Sequence, residues 1–158
     1  MQNILTREVI RAAQKAWGEG IIKIGETFAN KGDYRKEAEN FIAGFYGYNE
    51  GPVLFKPTLA AVEQFRDTFE KALSYFIGGN PDLPEDSGFA IRRWVKVQFR
   101  NAGILIAQDH ALAMGNYFFT DAEGTEIKVE YTFGYFADKE GNIKINLHHS
   151  SLPFTGTT

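Results

Sequence analysis

The chain has 158 residues, 15% of them aromatic and 23% charged, with a formal net charge of −3. That is enough length for a real core and too much aromatic content for a disordered chain. The mild acidity without a basic run argues against a nucleic-acid partner, and the absence of cysteine removes disulfides, thiolate nucleophiles and thiolate zinc sites together.

The opening segment carries Arg7, Glu8, Arg11 and Lys15 and has no apolar signal core; no apolar run approaches transmembrane length. A cytoplasmic protein with no membrane partner is expected. Ile10, Ala13, Trp17, Ile21, Ile24 and Phe28 recur three or four apart and line one face of a first helix, with Thr6 as its cap. Gly18, Gly20 and Gly25 weaken that helix, because an interior glycine costs about 1 kcal/mol. Lys31-Gly32-Asp33 breaks it, and Asp33 caps a second helix with Tyr34, Ala38, Phe41 and Phe45 on one stripe. Val53-Leu54-Phe55, between Gly51-Pro52 and Pro57, fits a short edge strand. Thr58 is then expected to cap a third helix whose stripe is Val62, Phe65, Phe69, Ala72 and Phe76, stopped by Gly78-Gly79.

From Phe89 the period drops to two. Ile91, Val95, Val97 and Phe99 alternate with Arg92, Trp94, Lys96 and Gln98, and Asn101-Ala102-Gly103 reads as a turn into Ile104 to Gln108. Strands from Ala111, Glu126 and Ile143 follow, parted at Glu123-Gly124 and Glu140-Gly141. Helices followed by an antiparallel meander give an α+β class. No repeat or linker divides the chain, so a single domain over residues 1–158 is expected.

The last strand runs Ile143, Ile145, Leu147 into His148-His149-Ser150-Ser151. Successive side chains point to opposite faces, so His149 and Ser151 continue the apolar face. With even-length hairpin loops, one face gathers Tyr117, Glu130, Thr132, His149 and Ser151, while Gly115 and Gly134 leave space between them. These five are the candidate ligand-binding residues. Glu130 or His149 is the candidate base and Tyr117 the candidate hydrogen-bond donor, since a carboxylate orients an imidazole and a phenol stabilises a developing oxyanion. The alternative is that Glu130, His149 and Tyr117 merely satisfy one another inside a large core. An odd loop or a bulge would flip a strand and destroy the grouping.

The same parity sends Leu112, Met114, Phe118, Tyr131, Phe133, Tyr135 and His148 outward. Such a patch would be covered by a homodimer through the outer sheet face. A slipped register would instead bury these aromatics under the helices and leave Glu130 outside. Three histidines without paired spacing do not make a metal site, and no cofactor is expected.

Four segments, Val53 to Thr58, Ala111 to Tyr117, Val129 to Tyr135 and Leu147 to Pro153, resemble the nuclear transport factor 2-like superfamily. More narrowly they resemble bacterial relatives of the calcium/calmodulin-dependent protein kinase II association domain. The resemblance implies helices covering the concave face of a curved, mainly antiparallel sheet, a cone-shaped pocket between them, and sheet-to-sheet dimers or larger rings. Kinase association domains line that pocket with strand arginines, whereas this chain has none after Arg100 and carries Tyr117 and Gly134 at the corresponding positions. The fold hosts isomerases, dehydratases, hydrolases and dimerisation modules alike. The functional expectation is an uncharacterised small-molecule-binding or oligomerisation domain. Its alternative is an isomerase- or dehydratase-type enzyme using Glu130 and His149 as acid and base.

Overall fold

The computed structural model describes residues 4–156. Three helices, α1 (Arg7–Ala29), α2 (Tyr34–Phe45) and α3 (Phe69–Ile77), pack on one face of a five-stranded sheet. Its strands are β1 (Leu54–Lys56), β2 (Trp94–Ile106), β3 (Ala111–Asp121), β4 (Glu126–Ala137) and β5 (Ile143–Ser151). They lie in the order β1-β5-β4-β3-β2, antiparallel from β2 through β5, with β1 parallel to β5. The α+β architecture is the one expected. Among the described residues no helix is long and apolar enough to cross a membrane.

Helix α1 runs unbroken through its glycines because they are contact points. A Cβ on Gly18 would sit 3.1 Å from the Val97 Cβ, and one on Gly25 would sit 2.9 Å from the Ala90 carbonyl oxygen. The intrinsic cost of glycine is repaid by close approach to the sheet and its entry turn. Thr6 caps α1 by accepting from the Val9 amide at 3.1 Å, and Asp33 caps α2 through Lys36 at 3.0 Å.

The third helix departs from expectation. It begins only at Phe69, capped by Thr68, and residues 57–67 follow an irregular path. Arg66 explains the difference. Its side chain is fully buried and forks onto the Asp86 carboxylate with two bonds of 2.7 Å. Glu85 accepts from the amides of Ala61, Val62 and Glu63 at 2.7, 3.1 and 2.7 Å. These bonds replace helical ones, so tertiary contacts override the helical spacing. Val62 and Phe65, expected on a buried stripe, are 86% and 67% exposed.

Asn101-Ala102-Gly103 does not turn either. β2 is one strand of 13 residues, with Ala102 as the extra residue of a bulge opposite Gly115–Met114.

Both later hairpins have odd loops, not even ones. Asp121 to Thr125 closes with the Gly124 amide on the Asp121 carbonyl at 3.0 Å and the Asp121 amide on the Thr125 carbonyl at 2.9 Å. Asp138 to Asn142 repeats the pattern, and Gly124 and Gly141 take φ of +87° and +85°. This is the turn-plus-glycine-bulge geometry that Asp-x-x-Gly favours. Tyr117 is therefore opposite Val129, and its face carries Tyr131, Phe133 and Tyr135. A bulge at Asn146 then shifts β5, so that Thr132 faces His149 and Phe133 faces His148. Tyr131, Phe133, Tyr135 and His148, expected outward, are each at most 2% exposed beneath the helices. Leu112 and Met114 do point outward, but the aromatic patch invoked for a homodimer does not exist on that face.

Candidate active site

The predicted site residues divide between the two faces of the sheet. Glu130, Thr132, His149 and Ser151 do come together, on the face away from the helices, where Ser151 donates to Glu130 at 2.9 Å in an exposed setting. Tyr117 alone lies inside, 1% exposed. Neither Gly115 nor Gly134 leaves open space: a Cβ on Gly115 would strike the Arg100 and Ala102 backbone, and one on Gly134, on the outer face, would strike Leu147. The grouping of His149 and Glu130 with Tyr117 is thus corrected by the odd β3–β4 loop, with His148 and Ser150 taking the inward positions of β5.

His148 is the centre of the inner face. Its ring lies between Phe55 and Phe133, stacked at centroid distances of 4.7 and 4.0 Å. Tyr46 Oη lies 2.9 Å from Nδ1, and Tyr117 Oη lies 3.0 Å from Nε2. Trp17 Nε1 donates to Tyr46 Oη at 3.1 Å. On the other side, Tyr117 Oη is 2.5 Å from Ser150 Oγ, which is 2.6 Å from Thr58 Oγ1. One hydrogen-bonded chain thus runs from Trp17 through Tyr46, His148, Tyr117 and Ser150 to Thr58.

Its polarity follows from its end. An indole only donates, so Tyr46 accepts from Trp17, and among the described residues its own O–H finds its acceptor in His148 Nδ1. The imidazole then carries its hydrogen on Nε2 and donates to Tyr117, which donates to Ser150, which donates to Thr58. In this arrangement every proton has an acceptor, and the Thr58 hydroxyl is left to donate beyond the chain.

That end opens on a cavity of about 10 Å³, room for a single water. Trp17, Phe55, Phe76 and Phe89 form its apolar walls; Thr58, Tyr75, Tyr117, His148 and Ser150 bring the polar atoms. No carboxylate, lysine or arginine lines it. Tyr75, on α3, accepts from the Leu59 amide at 3.2 Å and faces Thr58.

None of these groups is tuned to titrate near neutrality. Burial, with a small contribution from His149, holds His148 well below the usual histidine range. Burial pushes the Tyr117 and Tyr46 phenols far up, and Tyr75 up to about 12. The cage therefore presents a neutral imidazole and un-ionised hydroxyls, groups that donate and accept hydrogen bonds without carrying charge. Among the described residues no group of three or more histidine, aspartate or glutamate side chains could hold a metal ion.

Thr58, Tyr75, Tyr46 and Trp17 were not visible as site residues in the sequence. Thr58 reads as a helix cap and Trp17 as part of the first helix's apolar stripe, while no pattern singles out Tyr46 or Tyr75. Asp121-x-x-Gly124 carries the signal for the odd loop that turns Tyr131 and Phe133 inward, whereas His148 and Ser150 face inward through the bulge at Asn146.

Comparison with known proteins gives a consistent set of matches. The family described as metal-independent carbonic anhydrase matches residues 8–152. A metal-independent carbonic anhydrase from Nostoc sp. (strain PCC 7120) is 44% identical over 153 residues, covering 95% of this chain and 75% of that protein. The crystal structure of a cyanobacterial iota-carbonic anhydrase complexed with bicarbonate superposes with a TM-score of 0.94 at 42% identity, covering 99% of this chain and 98% of that one. More distant matches share the fold. A protein of the NTF2-like family from Streptomyces avermitilis gives a TM-score of 0.56 at 14% identity over 94% and 96% of the two chains. A protein assigned to the calcium/calmodulin-dependent protein kinase II association domains, from Xanthomonas campestris, gives 0.58 at 19% over 93% and 87%.

Proposed function

We propose that this chain, which belongs to the metal-independent carbonic anhydrase family, interconverts carbon dioxide and bicarbonate in the hydroxyl cage between β1, β3, β5 and α3. Family membership overturns the expectation of an uncharacterised binding or oligomerisation domain. It equally overturns the isomerase or dehydratase alternative, and exposed Glu130 and His149 are not its acid and base.

The observation that carries the proposal is the uninterrupted chain from His148 through Tyr117 and Ser150 to Thr58, ending in a chamber with apolar walls and no formal charge. A chamber with room for a single water excludes large substrates, and it admits carbon dioxide and the attacking water only as the hydroxyl contacts around it part. Carbon dioxide is apolar enough to enter between phenylalanines. Once inside, its oxygens accept from Thr58, Tyr75 or Ser150 by displacing the bonds these hydroxyls make to one another. Such preorganised donors stabilise the negative charge that grows on oxygen as water attacks carbon.

In that attack the water oxygen forms the new C–O bond, and one C=O electron pair moves onto oxygen. A cage hydroxyl takes the water proton while passing its own to the carbon dioxide oxygen, giving carbonic acid inside the chamber. On reaching solvent the acid ionises to bicarbonate and a proton. A cooperative chain of hydroxyls suits this transfer because each member both donates and accepts. His148 fixes the orientation of Tyr117 and so that of the whole relay.

The test is stopped-flow carbon dioxide hydration by protein dialysed against a strong chelator. Hydration well above the buffer rate supports the reading. A rate that vanishes with the chelator and returns with a divalent cation contradicts it.

A further inference from the structure

Beside the cage lies a second cavity, of about 70 Å³, which shares Tyr75 and Phe89 with it. Those two rings stack at 5.7 Å and form the wall between the two spaces. We propose that this outer cavity is a docking vestibule for bicarbonate, a small planar oxyanion, with Arg92 as the group that holds it. The inference rests on the proposed activity and assigns it a further residue.

The charges around the vestibule support this choice. Asp86 is consumed by Arg66 and by Ser74 Oγ at 2.5 Å. Glu85 is held below its usual carboxylate range by the amides of Ala61, Glu63 and Val62. Arg66 is likewise committed. Arg92 is exposed, and among the described residues it makes no ion pair; its guanidinium donates to Ser87 Oγ at 3.2 Å and has donors to spare. The chain bends sharply to put it there, with Gly88 at φ +89° and Arg93 at φ +44°. A non-glycine residue in that region is kept against strain.

Bicarbonate carries a charge that carbon dioxide lacks, and a cation at the outer cavity draws the anion toward a cage that offers only neutral donors. A planar guanidinium with two parallel N–H donors matches two oxygens of a carboxylate-like anion. The vestibule is therefore where bicarbonate waits before dehydration and where it collects after hydration.

The test uses Arg92→Ala, Arg92→Lys and Arg92→Glu, with bicarbonate affinity measured by 13C NMR and nitrate, a planar monovalent analogue, used as an inhibitor of hydration. Arg92→Ala should weaken both by about fivefold, and Arg92→Glu by more, with a flatter dependence on ionic strength. Arg92→Lys should recover part of the loss. If Arg92→Glu binds bicarbonate and nitrate as the unaltered protein does at every salt concentration, the vestibule is wrong while the cage stands. If the unaltered protein neither binds bicarbonate nor hydrates carbon dioxide, the functional reading falls and takes the vestibule with it.

Discussion

Ser150→Ala isolates the relay with the smallest chemical change. The Ser150 side chain is 1% exposed, and its oxygen joins Tyr117 at 2.5 Å to Thr58 at 2.6 Å. Removing that atom breaks both links and leaves the Tyr117 hydroxyl proton without its acceptor. An unsatisfied buried donor costs about 1–3 kcal/mol, which for a chain of this length lowers Tm by roughly 2–4 °C per kcal/mol. The catalytic cost should be larger. Loss of one preorganised donor to a developing oxyanion lowers kcat by about 10²–10³. The assay is stopped-flow hydration with a pH indicator, set beside dehydration at the same pH. Because no substitution changes the overall equilibrium, kcat/KM must fall by the same factor in both directions. A variant that melts earlier as predicted yet hydrates carbon dioxide at the original rate would show that Ser150 is only a core hydroxyl, and would refute the relay.

Acid should weaken the fold through His148. Its folded pKa is depressed by burial, whereas the unfolded histidine binds a proton near about 6.5. The stability it secures is present above that value and is lost as pH falls below it, by about 1.4 kcal/mol between pH 7.5 and 5.5. Urea denaturation at the two pH values should show the loss, and His148→Phe, which keeps a ring between Phe55 and Phe133, should show less. Glycine contacts make a paired test. Gly25→Val should destabilise by about 1–3 kcal/mol, because its Cβ would meet the Ala90 carbonyl at 2.9 Å. Gly44→Ala, with nothing within 4 Å of the new Cβ, should stabilise α2 by about 0.5–1 kcal/mol. Equal effects in thermal melts would contradict the packing account of α1.

Local rules made much of the fold legible. Spacing gave α1 and α2, their caps Thr6 and Asp33, and the last three strands, because those features depend on near neighbours. What failed depended on distant partners or on a single count. Thr58 to Phe65 has helical spacing, yet Arg66 reaching Asp86 and Glu85 reaching three backbone amides hold it irregular, and no local pattern announces a salt bridge across twenty residues. The site failed on parity. Reading Glu123-Gly124 as an even loop instead of Asp121-x-x-Gly124 as an odd one exchanged Glu130 for Tyr131 on the inner face. The Asn146 bulge then placed His148, not His149, beside Phe133. Tyr117 alone kept its predicted place. The cage itself was invisible because it contains no acidic or metal-binding cluster, only serine, threonine, tyrosine and a buried imidazole, residues that any core can contain.

The most direct test of that uncharged cage is the pH dependence of kcat for carbon dioxide hydration in chelator-treated protein from pH 6 to 9. With His148 held below this range and the Tyr75 and Tyr117 phenols above it, nothing in the chamber changes protonation there, and a level profile is expected. A rate that rises through an apparent pKa near about 7, as for a water bound to a catalytic zinc ion, would contradict it.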